Sequence, residues 1–173
     1  MKYLLKTAVS LLADQVVGII SGFMLVLCVS AIFKNSLAGY IIAFCICFGF
    51  YIYVTYLSAF KSGFHDSHRV IKDTAYRGYL YKGALAGLFS AIPLLIIYII
   101  YKITNAGILA IYFMIANMFW TWPMSNIFPN HIQAVFISAF IPLIIIPWLG
   151  YIAGYRNFLF SDQFMKIYRY FKK

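Results

Sequence analysis

Lys61–Lys82, KSGFHDSHRVIKDTAYRGYLYK, is the longest polar stretch in a chain that is otherwise almost continuously apolar. It holds five of the 14 Lys/Arg, two of the four acids and two of the three histidines. On either side lie runs long enough and apolar enough to cross a membrane. The stretch therefore reads as a basic loop, spanning 61–82, between two pairs of transmembrane helices.

The run before it, Leu37–Phe60, has 24 residues and no charge. At 1.5 Å per residue it covers about 36 Å, more than the roughly 30 Å of a hydrocarbon core. Its tyrosines gather towards the end, where an interfacial belt belongs. Val16–Phe33 is an 18-residue uncharged run, joined to the next by Lys34-Asn35-Ser36. So short a connection predicts an antiparallel hairpin. After the basic stretch come Gly83–Tyr101, with Pro93 inside, and Ile132–Tyr155, with Pro142 and Pro147 inside. Four spans are expected, at about 16–33, 37–60, 83–101 and 132–155, within a single transmembrane domain.

Composition agrees with lipid as the solvent. The chain has 173 residues, 64% hydrophobic and 10% charged, with mean hydropathy +0.88, where soluble domains carry about 25% charged residues. The net charge of +10 would suggest nucleic acid in a soluble protein. Here it fits the Lys/Arg bias of cytoplasmic loops and their attraction to anionic headgroups, so no nucleic-acid partner is expected. Cys28, Cys45 and Cys47 lie within apolar runs and have neither metal-site nor CxxC spacing.

Residues 1–15 run into the first span without a small-residue cleavage site, so a cleaved signal is not expected. On a helix Lys2, Lys6, Ser10 and Asp14 form one row, opposite Leu4, Leu5, Ala8, Leu11 and Leu12; that predicts an amphipathic lead-in at the headgroup level. The segment 108–122 is harder. Ile108–Trp120 is 13 apolar residues between polar or helix-breaking flanks. Its length predicts a short interfacial or re-entrant helix, with a tilted fifth span as the alternative. The tail, 156–173, reads as an amphipathic surface helix with Asp162, Lys166, Arg169 and Lys173 on one face.

With four spans, the N-terminal lead, the basic stretch and the tail share one side. They carry all the Lys/Arg except Lys34 and Lys102. The positive-inside rule then places both termini in the cytoplasm. The lysine, isoleucine, asparagine and tyrosine usage suits a bacterial cytoplasmic membrane.

Three spans carry glycine pairs at i,i+4: Gly18/Gly22, Gly83/Gly87 and Gly150/Gly154. The fourth has Gly39, Ala43 and Cys47 at the same spacing. Small residues so placed let helix backbones approach closely in lipid. These pairs are expected at one depth, giving a tight inner half and a looser, aromatic outer half, or else a self-association surface.

The chemistry on offer is sparse. His65, Asp66 and His68 form HDSH, a weak candidate for a metal site. No HExxH motif accompanies it, and His131 falls towards the other side. The plainer expectation is a hydrated turn from Gly63, with Asp66 and Asp73 paired to Arg69, Lys72 or Arg77. The spans lack buried ionisable groups of the kind that ion pathways use. No catalytic residues and no cofactor are expected. Arg69, Lys72, Arg77, Lys82, Lys166 and Arg169, interleaved with tyrosines, read as a surface for anionic lipid headgroups or an acidic protein partner. The leading expectation is a non-enzymatic accessory or scaffold subunit of a membrane complex. A small oligomeric permease or transporter component is the alternative, and a metal-dependent membrane enzyme the weaker one.

Overall fold

A computed structural model describes residues 2–33, 36–72 and 79–156, and every regular element among them is helical. Helix α1 covers Lys2–Phe33, α2 Leu37–Lys72 and α3 Lys82–Thr104. Two short helices follow, α4 (Gly107–Ala116) and α5 (Met118–Ile127). After a 3-10 turn at Pro129–His131 come α6 (Ile132–Ser138) and α7 (Phe140–Tyr155). Four stretches are long and apolar enough to cross a membrane: Leu4–Val29, Leu37–Val70, Lys82–Thr104 and Pro129–Tyr155.

Local chemistry sets the boundaries. Ser36 opens α2: its Oγ accepts the Gly39 N–H at 3.2 Å, satisfying one of the donors a helix start leaves over. Asn105 closes α3 at φ 51°, donating its N–H to the Tyr101 carbonyl at 2.9 Å. Asparagine is among the few residues that tolerate this left-handed cap. Pro142 has no N–H for the Ser138 carbonyl, and the helical ladder breaks there, at Ala139, between α6 and α7.

The lead-in runs straight into the first span as one unbroken helix. One element differs from the sequence expectation. The basic stretch is no loop at its start, because α2 runs straight through Gly63 and ends only at Lys72. That is twelve residues past Phe60, or about 18 Å. The reason is a stripe of buried residues that does not stop with the apolar run. Gly39, Ala43, Cys47, Tyr51, Thr55, Ala59 and Gly63 are all buried at four-residue spacing, and Asp66 follows three later. A four-residue step overshoots the 3.6-residue turn by about 40°, so the stripe winds around α2. The helix accordingly packs on α5 near its start and on α7 near its end.

Helices α1 and α3 run one way, α2 and α7 the other. Gly18 lies against Tyr51, and Gln15 donates to Ser90 Oγ at 3.4 Å. Gly83 meets Tyr151 and Pro147, while Gly87 meets Leu143, so α3 and α7 are antiparallel. Gly150 meets Tyr56 and Gly154 meets Phe60, so α2 and α7 are parallel. The start of α1, the end of α2, the start of α3 and the end of α7 thus share one end of the molecule.

The glycines mark where backbones touch. A Cβ on Gly150 would stand 2.7 Å from the Tyr56 carbonyl oxygen, and one on Gly87 2.5 Å from the Leu143 oxygen. Cβ atoms on Gly63 and Gly154 would collide with the carbonyls of Tyr151 and Phe60. Leu143 is the residue whose carbonyl Pro147, lacking an N–H, leaves without its helical partner. Gly87, with no side chain, lets α3 come up against that oxygen. Gly18 and Gly22 are looser, with nearest atoms at 3.4 and 3.8 Å. The glycine pairs meet neighbouring backbones and side chains rather than one another.

Two apolar cores result. Near the shared end, Ala8, Leu11, Ala59, Ala86 and Tyr151 pack with small side chains between them. Further along, the core is aromatic, built from Tyr51, Phe113, Phe119 and Phe136 with Val26, Leu94 and Leu143. Tyr51 stacks on Phe119 at 3.8 Å, and Trp120 sits edge-on to Phe44 and Phe48. Outward faces are apolar too: Ile20, Met24, Ile96 and Ile103 are all exposed. So much exposed apolar surface needs lipid to cover it.

The 108–122 segment is neither one short helix nor a straight span. Helices α4 and α5 meet at Asn117 with a 115° bend, so the chain turns back on itself. Fully buried Thr121 caps the break, its hydroxyl lying 2.8 Å from the Met114 carbonyl and 2.9 Å from that of Asn117.

Candidate functional site

The shared end of the four long helices carries the polar site. The sequence brings Asp66 there by extending α2 beyond its 24 uncharged residues. It brings Lys82 by starting α3 one residue before Gly83, whose missing side chain lets α3 close on α7. Tyr151 arrives on the α7 face next to Gly150 and Gly154. Asp66 is 2% exposed. Its Oδ2 accepts from Lys82 Nζ in a short ion pair and from the Tyr151 hydroxyl at 2.8 Å. Its Oδ1 lies 3.7 Å from the Arg69 guanidinium, one turn further along α2. One carboxylate thus ties α2, α3 and α7 together.

Burial decides which of these contacts matters. Arg69 is 43% exposed, and an ion pair that wet contributes little. The Lys82 side chain is 11% exposed. Removing either partner of a pair so enclosed leaves an uncompensated charge, which costs several kcal/mol. The Lys82 ammonium also stands 5.9 Å from the centre of the Tyr151 ring, where the ring's negative face helps to hold it.

Beside this lock opens a polar cavity of about 130 Å³. Asp66, Arg69, Lys82 and His65 line it from one side, and Lys6, Thr7 and Ser10 of α1 from the other, with Ser62 between them. Lys6 and Ser10, from the polar row of α1, thus face α2 across the cavity. Asp14, a turn along that row, lies near Ser58 and Lys61 of α2, with its Oδ2 buried and without a hydrogen-bond partner among the described residues. The cavity wall carries three cations, Lys6, Arg69 and Lys82, against one carboxylate. Its balance is positive, and the hydroxyls add neutral donors. Such a lining suits a compact oxyanion.

The sequence candidates distribute as follows. Arg69 and Lys82 come together at Asp66, with Lys82 turned inward rather than displayed on the surface. Lys72 ends α2, while Arg77, Lys166, Arg169, and with them Asp73 and the tail helix, lie outside the described residues. Of the HDSH residues, Asp66 and His65 line the cavity, Asp66 buried and His65 exposed, while His68 stands outside it, exposed and packed edge-on against Phe64 at 4.4 Å. Among the described residues no three His, Cys, Asp or Glu side chains gather as metal ligands would.

Sequence reasoning missed Lys6, Ser10 and Tyr151 as partners of this site. Tyr151 lies 85 residues from Asp66, and only its place between two glycines hinted at a helix contact. Comparison with protein-family models, curated proteins and solved structures finds no match for this chain.

Proposed function

We propose that the protein is a four-span bundle with both termini in the cytoplasm, and an accessory or scaffold subunit of a membrane complex. Its cytoplasmic end binds an acidic group, on a lipid headgroup or a protein partner, in the cavity between α1 and α2. The single observation that carries this reading is the convergence of three helix ends, those of α1, α2 and α3, on a positively balanced, hydroxyl-lined cavity held rigid by the Asp66 lock. A preorganised site of this kind offers charge and donors without needing to be ordered first. The 115° turn at Asn117 supports a re-entrant α4/α5 pair, which keeps the number of crossings even and the basic segments on one side.

The test is charge reversal at the cavity rim, Lys6→Glu with Arg69→Glu, in protein extracted gently from its native membrane. Loss of the co-purifying protein or anionic lipid is expected. Retention of every companion at wild-type level contradicts the reading.

One observation favours the permease reading as second choice. Asn117 is fully buried at the helix break, and its Oδ1 has no hydrogen-bond partner among the described residues. Irregular backbone at membrane depth is tolerated where it lines a cavity. Solute flux into vesicles containing the purified protein, abolished by Asn117→Leu, would support that reading, and vesicles tight to every solute tried would sink it.

A further inference from the structure

We infer that the outer groove between α2 and α7 is a site for one acyl chain of an anionic phospholipid, with its phosphate on Arg156. The groove has a volume of about 540 Å³ and is walled by Ile52 and Tyr56 of α2 and by Ile146, Leu149 and Ala153 of α7. Its lining is apolar except at one end, where Arg156 closes it. From Ile146 to Arg156 is ten residues, or about 15 Å along the helix. That is half of the roughly 30 Å hydrocarbon core, the depth of a single leaflet. Arg156 is exposed and follows the last turn of α7. It therefore stands where the headgroup of a chain lying in the groove would be. Gly150 and Gly154 hold α7 so close to α2 that the two walls are fixed before anything binds.

The charge at the mouth selects the occupant. A lipid phosphate sits at that depth by default, and an anionic headgroup brings no competing cation. A second copy of the chain has little to set against Arg156, because its described acids lie within its own bundle: Asp66 is held by Lys82 and Tyr151, and the Asp14 Oδ2 is buried. This site is separate from the Asp66 cavity and does not depend on the proposal made for it.

The experiment uses the full chain in nanodiscs of equimolar phosphatidylglycerol and phosphatidylcholine, with retained lipids counted by native mass spectrometry. The wild-type protein is expected to keep one phosphatidylglycerol preferentially. Arg156→Gln should reduce that preference about fivefold, the effect of one basic residue near a membrane surface. Ala153→Phe, which fills the groove, should remove the retained lipid of either kind, and the Lys6→Glu/Arg69→Glu variant should leave it in place. Arg156→Gln changes an exposed side chain, so it still decides if the groove-filling variant fails to fold. Unchanged preference in Arg156→Gln overturns the inference. So does a protein dimer that Ala153→Phe dissociates, because the groove would then belong to a second copy.

Discussion

Asp66 joins the local chemistry to the fold. It is a buried carboxylate facing one buried ammonium, one phenol and one half-exposed guanidinium. A buried pair is weak evidence for net stability, because desolvating both charges offsets much of their attraction. Breaking it is another matter. Asp66→Asn keeps the shape and an acceptor for Tyr151 but leaves the Lys82 charge enclosed. The expected loss is about 3–5 kcal/mol, read as thermal unfolding in detergent. Adding Lys82→Met removes the stranded charge, so the double variant should lose clearly less than the two single losses together. Strict additivity would mean that the two groups do not interact in the folded protein. The sequence made Asp66 visible as a polar outlier and named Arg69 among its partners, which the 3.7 Å contact bears out. Its closer partners sit 16 and 85 residues away, and non-local pairings of this kind leave no mark in local spacing.

At the level of elements, small residues govern how closely the helices pack. Gly63 and Gly154 stand where any Cβ would strike a neighbour's backbone, which cannot step aside as a side chain can. Gly49, on the same helix as Gly63, has open space around it. Gly63→Ala and Gly154→Ala should each destabilise by about 1–3 kcal/mol or more through overpacking. Gly49→Ala should be neutral or stabilise by up to about 1 kcal/mol, since alanine loses less backbone freedom in a helix. Equal effects at all three positions would show that α2 and α7 do not make backbone contact. The glycine spacing was readable from the residues alone, as were the four long helices. Their partners were not, because i,i+4 spacing names a face and not what it meets. The true end of α2 was hidden for a related reason. Charge after Phe60 suggested a loop, whereas the stripe through Ala59, Gly63 and Asp66 continued the buried face.

For the whole molecule, the arrangement of helices and the distribution of charge make the same demand. Antiparallel packing brings the start of α1, the end of α2, the start of α3 and the end of α7 to one end, and the basic segments belong to those same ends. The opposite end holds the end of α1 and Asn105, and in the sequence Lys34 and Lys102 are the only Lys/Arg outside the basic segments. What the chain binds was not legible, because the spans carry no motif of known chemistry and the basic residues serve equally for lipid or protein. The orientation proposed on this charge distribution is the claim on which the cytoplasmic binding cavity rests. The direct measurement is sidedness, using single cysteines in a background with Cys28, Cys45 and Cys47 replaced by alanine. Lys61→Cys, beside the cavity, and Asn105→Cys, at the far end, are exposed to a membrane-impermeant maleimide in right-side-out and inverted vesicles. The account predicts that position 61 is labelled only in inverted vesicles and position 105 only in right-side-out ones. Labelling of position 61 from outside, or of both positions from one side, would contradict it.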